Sequence, residues 1–311
     1  MQNRRLFWVI TNKCNLRCKN CYYNTGLEKR KPDKLNIAKA KKIIKQLPRL
    51  FDDIVLTGGE PLVFPSIMEL IALLKQEKLR ISLLTNGVLL NKNNCKKLVS
   101  LGVNSVSISL DSLFPSVNDL SRGKTKIVLR GINNLLLEKP KDMNITILQG
   151  FSRGNISSIK PLVNFCKRKK LLIWLNPIQT GPESKQNIEI RLESSSKEDQ
   201  LTLKNEMTYW TKYQKKQSRE KYLRSKKYIE YCLSLINGKK PRKITCPMGS
   251  NSFVLDVDGK VYPCFLRKDI VLGNIYDQKL SDILSNPEFK SILTGLKNAP
   301  CVQLGCVCFA S

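Results

Sequence analysis

The sequence predicts an α/β protein, a partial (β/α)6 TIM-like barrel followed by a small cysteine-rich C-terminal domain. Two observations carry this prediction. Apolar runs of strand length alternate with helical patterns six times in the first part of the chain, and five of the eleven cysteines lie between residues 246 and 308. An alternation of strands and helices favours a parallel sheet with helices packed on it.

Six short runs rich in Val, Ile and Leu predict the strands. Because such runs are apolar throughout, they suit a sheet that is covered on both faces. The runs are LFWVI (6–10), DIVLT (53–57), RISLLT (80–85), SVSISL (105–110), NITIL (144–148) and LLIWLN (171–176).

Helical patterns separate these strands. Asn36 and Asn91 are candidate N-caps, and Gly102 marks the end of the helix that Asn91 begins. The five predicted helices span residues 37–47, 65–75, 92–101, 126–138 and 155–169.

The pattern changes after residue 181 and divides the chain into three parts. Residues 1–181 form the predicted barrel, and residues 182–245 a polar loop followed by a charged helical bridge. Residues 246–311 form the cysteine-rich domain, with short strands expected around SFVLDVDGKVYPC (252–264).

The chain is strongly basic, with 54 Lys and Arg against 25 Asp and Glu, a net charge of +29. Such a charge attracts nucleic acids and acidic substrates. The basic residues are scattered over several segments, however, and no RNA-binding motif accompanies them. We therefore favour charge spread over solvated faces, and keep an RNA-modifying enzyme as a lesser alternative.

The chain shows neither a secretory signal at its N-terminus nor an apolar run of the ~18 residues needed to cross a bilayer. We therefore expect a cytoplasmic protein with no membrane partner. Because that compartment keeps thiols reduced, clustered cysteines indicate metal or redox chemistry rather than disulfides. Three isolated cysteines on helical patterns, Cys95, Cys166 and Cys232, are interpreted as small buried hydrophobes.

Cys14, Cys18 and Cys21 follow the first predicted strand with the spacing C-x3-C-x2-C. A structural zinc site needs four ligands and a disulfide needs two, so three thiols suit neither. Three thiolates can instead hold a four-iron cluster whose fourth iron stays open to another molecule. The chain contains no histidine, so zinc would need a further cysteine or a carboxylate.

Other polar motifs also follow predicted strands. GGEP (58–61) follows the second strand, TNG (85–87) follows the third and Asp111 follows the fourth. Since the carboxyl ends of parallel strands meet at one edge of the sheet, where ligand sites are built, we expect these motifs to converge there.

In this order the motifs resemble those of radical S-adenosylmethionine (SAM) enzymes. The resemblance implies a SAM-binding [4Fe-4S] cluster on the three cysteines and a reductant such as flavodoxin or ferredoxin. One electron would cleave SAM to methionine and a 5′-deoxyadenosyl radical, which takes hydrogen from a substrate. Asn20 departs from the family, which usually has an aromatic residue there. The residues that the resemblance assigns to SAM are Gly58, Gly59, Glu60, Thr85, Asn86, Ser109 and Asp111.

The tail motif C-x12-G-x4-C, from Cys246 to Cys264, resembles the start of SPASM or twitch domains, which hold auxiliary iron–sulfur clusters. The five tail cysteines fit one auxiliary [4Fe-4S] cluster better than two. We favour Cys301 and Cys306 as the remaining ligands over Cys308, and a structural zinc remains the alternative.

The resemblance implies a substrate class less sharply. Relatives with such tails commonly modify ribosomally made peptides, so we predict oxidative or cross-linking modification of a peptide. The chain begins almost at the first strand, so we expect a separate protein to recognise the peptide. Dehydrogenation of a small sugar or cyclitol alcohol is the alternative, and the sequence singles out no catalytic side chain.

Overall fold

The computed structural model describes residues 4–19, 21, 33, 35–178, 196–216, 226, 230, 233, 251–265 and 267–298. Within this part of the chain the strands form one sheet in the order β6-β5-β4-β3-β2-β1-β7-β8-β9. The strands are β1 Arg5–Thr11, β2 Asp53–Gly58, β3 Arg80–Thr85, β4 Ser105–Ser109, β5 Asn144–Phe151, β6 Leu172–Pro177, β7 Ser252–Leu255, β8 Lys260–Tyr262 and β9 Gly273–Asn274.

All six predicted strands are present, and neighbours from β1 to β6 pair in parallel. Among the described residues β6 pairs with β5 alone, so the sheet is open, as a partial barrel requires. On the other side of β1, the tail strand β7 also pairs in parallel, and Trp8 faces Leu56 on one neighbour and Leu255 on the other. The tail therefore extends the sheet of the barrel strands.

The five predicted helices are also present. The side chain of Asn36 accepts a hydrogen bond from the backbone of Lys39, and that of Asn91 from the backbone of Asn94, so both act as N-caps. No described helix is long and apolar enough to cross a membrane. The helices are α1 Ile37–Ile44, α2 Ile67–Gln76, α3 Lys92–Ser100, α4 Pro115–Ser121, α5 Thr125–Glu138, α6 Ile159–Lys169, α7 Lys197–Lys215, α8 Leu280–Ser285 and α9 Pro287–Asn298, with 3-10 helices at Pro61–Val63 and Arg153–Ser158.

The two faces of the sheet differ. The face that meets the helices is apolar and buried, as at Val106 and Ile108 on β4. On β4 the inner face carries small polar side chains, the partly buried Ser105, Ser107 and Ser109. The expectation of two covered faces is therefore wrong for β4, because the inner face of an open barrel is accessible to water. This accessible face is available to a ligand.

Helix α7, which lies in the predicted bridge, covers the outer edge of β6. Trp210 is fully buried there, with its ring 5.4 Å from that of Trp174. Side chains of α7 also bond the edge backbone: the Tyr213 hydroxyl donates to the carbonyl of Leu171 at 3.0 Å, and Gln214 Nε2 donates to that of Ile173 at 3.1 Å. An edge strand exposes unpaired backbone groups, and α7 satisfies part of this edge.

Candidate functional site

The three cysteines of the first motif are partly buried thiols on the loop that follows β1. Burial raises the pKa of Cys14, although a hydrogen bond from the backbone of Leu16 to its sulfur, at 3.4 Å, opposes the rise. Burial also raises the pKa of Cys18 to about 11, and the positive charge of Arg122 opposes this rise. The charges of Cys14 and Cys21 also affect Cys18, so the three thiols form one electrostatic group.

The two glycines after β2 lie against this cysteine loop. A Cβ atom on Gly58 would stand 2.3 Å from the carbonyl oxygen of Thr11, and one on Gly59 would stand 2.2 Å from that of Lys13. The backbone of Gly59 donates to Thr11 at 2.9 Å, and that of Glu60 donates to Lys13 at 2.8 Å. The resemblance assigns both glycines to SAM, and in this structure the close approach that they permit is to the backbone of the cysteine loop.

The carboxylate of Glu60 is fully buried and bonded within the protein. It accepts from the Thr85 hydroxyl at 2.7 Å, from the backbone of Asn86 at 2.7 Å and from that of Leu62 at 3.1 Å. Burial raises the pKa of Glu60 to about 7, and these hydrogen bonds limit the rise. Glu60 therefore fixes the ends of β2 and β3 to each other.

Asn86 then joins the end of β3 to the cysteine loop. Its Nδ2 atom donates to Asn15 Oδ1 at 2.7 Å and reaches the sulfur of Cys14 at 3.8 Å. Its Oδ1 atom accepts from the backbone of Val88 at 3.0 Å. The amide thus holds one side of the loop directly beside a predicted ligand.

Asp111, beyond the end of β4, is almost fully buried and has several partners. Its Oδ1 atom accepts from the backbone of Gly150 at 2.8 Å and lies 2.7 Å from Arg122 Nε. Its Oδ2 atom accepts from the Ser121 hydroxyl at 3.2 Å. The side chain therefore ties the end of β4 to β5 and to the end of α4.

The end of α4 in turn holds the second side of the cysteine loop. The backbone of Lys19 donates to the carbonyl of Ser121 at 2.8 Å, and the Cys18 thiol contacts the carbonyl of Arg122 at 3.8 Å. Helix α4 and Arg122 were not predicted from the sequence, because a seven-residue helix shows no clear apolar period. A buried aspartate such as Asp111 nevertheless requires a partner, and this requirement was the signal that could have revealed Arg122.

The other residues predicted to bind SAM differ in exposure. Ser109 is the last residue of β4 and remains partly buried on the inner face. Thr85 is buried, and its hydroxyl donates to Glu60 and accepts from the backbone of Gly87 at 3.0 Å. Among the predicted SAM residues, Ser109 is thus the clearest candidate for direct contact with a bound molecule.

The tail contributes Cys264, which is buried beside β1. It packs with Val9, Val254, Val257 and Tyr262, on the inner side of the sheet. The predicted ligands Cys246, Cys301 and Cys306, the alternative Cys308, and also Asn20 and Cys232, lie outside the described residues.

The donor chemistry fits an iron–sulfur cluster. Among the described residues, no three His, Cys, Asp or Glu side chains gather as a single metal ion would require. A four-iron cluster takes one thiolate at each of several irons, so its cysteines do not need to meet at one point. Three neighbouring thiols on one loop satisfy that requirement.

Two protein-family models match the chain. A model described as the radical SAM superfamily matches residues 8–159. A second, SPASM, described as an iron–sulfur cluster-binding domain, matches residues 246–306.

Several curated proteins are similar in sequence. A probable GTP 3′,8-cyclase of Methanocaldococcus jannaschii is 31% identical over 281 residues, 86% of each chain. An AdoMet-dependent heme synthase of Nitratidesulfovibrio vulgaris is 27% identical over 168 residues, 54% of this chain and 46% of the synthase. The mycofactocin maturase MftC of Mycobacterium ulcerans is 31% identical over 157 residues, 50% of this chain and 42% of the maturase. The chain thus matches less than half the length of the latter two proteins.

Solved structures share the fold at lower identity. SuiB of Streptococcus suis superposes with a TM-score of 0.70 at 16% identity, covering 99% of this chain and 72% of SuiB. Native anSMEcpe with bound AdoMet gives a TM-score of 0.68 at 19% identity, covering 92% of this chain and 82% of that one. BtrN in complex with AdoMet and 2-DOIA gives 0.55 at 16% identity, covering 99% and 94%.

Proposed function

The chain belongs to the radical SAM superfamily, and on that premise we propose that Cys14, Cys18 and Cys21 hold its SAM-binding [4Fe-4S] cluster. The observation that carries the proposal is the bracing of one three-thiol loop from two sides, by Asn86 and by Ser121. The bound cluster and SAM supply a 5′-deoxyadenosyl radical that abstracts hydrogen from a substrate.

The protein's own task is to position the reactants. Glu60 and Asn86 hold the loop at the carboxyl edge of the sheet, where the accessible inner face begins. Ser109 on that face is our candidate for a direct contact with SAM, whereas Thr85 and Asp111 act through the neighbours they hold. A fixed arrangement of this kind favours one hydrogen atom of the substrate over others.

The tail of this enzyme is an iron–sulfur domain, and we propose that it holds one auxiliary [4Fe-4S] cluster. Its proposed ligands are Cys246, Cys264, Cys301 and Cys306. Cys264 packs beside Val9 of β1, so this thiol lies on the inner side of the sheet. A cluster there could accept an electron from a substrate bound on the inner face. We propose that residues 1–181 form the barrel, residues 182–245 the bridge and residues 246–311 the tail domain. Strand β7 of the tail pairs with β1 of the barrel sheet.

For the substrate, we propose a ribosomally made peptide that undergoes oxidation or cross-linking. Solved relatives of this fold include SuiB bound to a precursor peptide and anSMEcpe bound to a peptide. The net charge of +29 would attract an acidic leader segment. A separate protein would recognise the peptide, and a flavodoxin or ferredoxin would supply the electron for SAM cleavage.

A small-molecule substrate is the second candidate. The M. jannaschii relative that covers 86% of both chains is named as a probable GTP 3′,8-cyclase, and BtrN is crystallised with 2-DOIA. Both observations favour a compact polar substrate on the accessible inner face.

The cluster assignment is tested by replacing Cys14, Cys18 and Cys21 with alanine together. We expect the variant to lose reductive formation of 5′-deoxyadenosine while keeping the tail cluster signal. Cys95→Ala is the matched control, because Cys95 is a buried thiol on α3, and it should retain SAM cleavage. Continued SAM cleavage by the triple variant would remove the proposed site.

The substrate class is tested by isotope transfer. Candidate peptides and candidate sugars or cyclitols carrying deuterium at the target carbon are incubated with enzyme, SAM and reductant. We expect deuterium in 5′-deoxyadenosine from the peptide. Transfer from the small molecule alone would replace the peptide proposal by the second candidate.

A further inference from the structure

Asp33 is a partly buried carboxylate that bonds to the start of the cysteine loop. Its Oδ1 atom accepts a hydrogen bond from the backbone of Asn12 at 2.7 Å. Its Oδ2 atom accepts a hydrogen bond from the hydroxyl of Thr11, the last residue of β1. Both oxygens of one side chain therefore bind two consecutive residues that shortly precede Cys14.

The hydroxyl of Thr11 extends this network towards the cysteines. Thr11 is almost fully buried, and its hydroxyl also accepts a hydrogen bond from the backbone of Lys13 at 3.1 Å. A hydrogen bond to a carboxylate is stronger than one between neutral groups, because the acceptor carries a full charge. Asp33 therefore fixes the hydroxyl, and the hydroxyl in turn holds the residue directly before Cys14.

A second set of bonds holds the same residues. The backbone of Gly59 donates to the carbonyl of Thr11, and the backbone of Glu60 donates to the carbonyl of Lys13. These bonds use carbonyl oxygens, whereas Asp33 binds a hydroxyl and a backbone N–H group. The contacts of Asp33 are therefore not duplicated by the segment after β2.

The position of Asp33 in the sequence gives this contact a further consequence. All three cysteines lie between Asn12 and Asp33, so the contact joins the two ends of the segment that carries them. Closing a loop before its ligand binds lowers the entropy that binding must overcome. Asn86 and Ser121 hold the loop too, but both belong to other parts of the chain and cannot close it.

We infer that Asp33 is a positioning residue that closes the cysteine-bearing segment and thereby favours retention of the cluster on its three thiols. The inference rests on the proposed function, because it assumes that these cysteines bind a cluster. Without the Asp33 carboxylate, the backbone N–H of Asn12 and the hydroxyl of Thr11 both lose their acceptor. The first loop residues then have more freedom, and the N-terminal cluster is lost more readily.

The test measures the release of iron to a chelator from anaerobically reconstituted protein. The iron of the N-terminal site is the part that the triple alanine variant lacks. Asp33→Ala should release this iron about tenfold faster, because two hydrogen bonds to a charged acceptor are lost. Asp52→Ala is the matched control, since Asp52 also accepts a hydrogen bond from backbone, that of Arg4 at 3.1 Å, but at the opposite end of β1. Its rate should change by less than about twofold.

Two further variants separate the proposed contact from a general loss of structure. Thr11→Val removes only the hydroxyl, and its effect on the rate should combine with that of Asp33→Ala to less than the product, because both changes remove the same bond. Asp33→Asn keeps one oxygen for the backbone of Asn12 and should restore part of the retention. Asp33→Ala introduced into the triple alanine variant should leave the release of tail iron unchanged.

Equal rates in Asp33→Ala and Asp52→Ala would overturn the inference. Faster release of tail iron would also overturn it, because Asp33 would then support the whole fold rather than the cysteine loop. If the unmodified protein holds no iron that depends on the three cysteines, the proposed function fails, and the inference fails with it.

Discussion

The buried carboxylate of Glu60 accepts a hydrogen bond from the backbone of Asn86 at 2.7 Å, and Asn86 in turn reaches the sulfur of Cys14 at 3.8 Å. A carboxylate without direct contact to the cysteines thus sets the position of an amide that touches one of them. The same principle recurs on the opposite side, where Asp111 holds Arg122. In both places a buried acid acts on the loop through a second residue.

Glu60 should make stability depend on pH. Burial raises its pKa from 4.5 to about 7 in the folded protein, so the folded state binds this proton more tightly than the unfolded chain. Its stabilising contribution is complete below pH 4.5 and is lost as the pH rises through about 7. We expect the free energy of unfolding to fall by on the order of 3 kcal/mol across this window.

Urea unfolding of the cluster-free protein at several pH values measures this contribution. The Glu60→Gln variant has no ionisable group at this position. Its free energy of unfolding should therefore fall by about 3 kcal/mol less over the same pH range. An identical pH profile in both proteins would show that Glu60 keeps an ordinary pKa.

Gly59→Ala should displace the cysteine loop. Its new Cβ atom would stand 2.2 Å from the backbone carbonyl of Lys13, which cannot move without the loop. We expect a loss of about 2 to 3 kcal/mol in unfolding free energy, together with a loss of iron at the N-terminal site. Gly154→Ala is the control, since no atom lies within 4 Å of its Cβ position. Normal iron content and stability in Gly59→Ala would contradict the packing described here.

Asn86→Ala should weaken retention of the cluster more than it weakens the fold. The variant loses the bonds to Asn15 and Cys14, so the part of the loop beside Cys14 loses its side-chain contact. We expect severalfold faster bleaching of the N-terminal cluster in air, and about 1 kcal/mol lower stability. Asn134→Ala also loses one amide bond, to Leu90, but away from the cysteines. Equal bleaching in both variants would argue against a specific role for Asn86.

Trp210→Ala should loosen the edge of the sheet. Trp210 of α7 is fully buried against β6, and its loss removes both packing and a donor to the carbonyl of Ile173. We expect a loss of about 3 to 5 kcal/mol and faster hydrogen exchange in residues 172–177. Leu201→Ala, on the same helix but 59% exposed, should change stability by less than about 0.5 kcal/mol. If exchange rises equally across all strands, α7 has no special role at this edge.

The sequence alone determined the order of the six barrel strands and of the α-helices between them, apart from α4. Apolar runs and helix caps are local signals, because the residues that carry them are neighbours in the chain. β2 begins at Asp53 and β3 ends at Thr85, as predicted, whereas β5 continues to Phe151 beyond the predicted end at residue 148. The position of the polar motifs after the strands followed from the same signals, since parallel strands end at one edge.

Only the tertiary structure decided what those motifs contact. The bonds from Glu60 to Asn86 and from Lys19 to Ser121 join segments that are distant in sequence, and no local pattern encodes them. The same holds for β7, whose pairing with β1 depends on the register of two strands that lie far apart in the chain. Buried backbone N–H and C=O groups must form hydrogen bonds, and side chains must pack without overlap. These requirements place Gly58 and Gly59 against the backbone of Thr11 and Lys13, and pair Asp111 with Arg122.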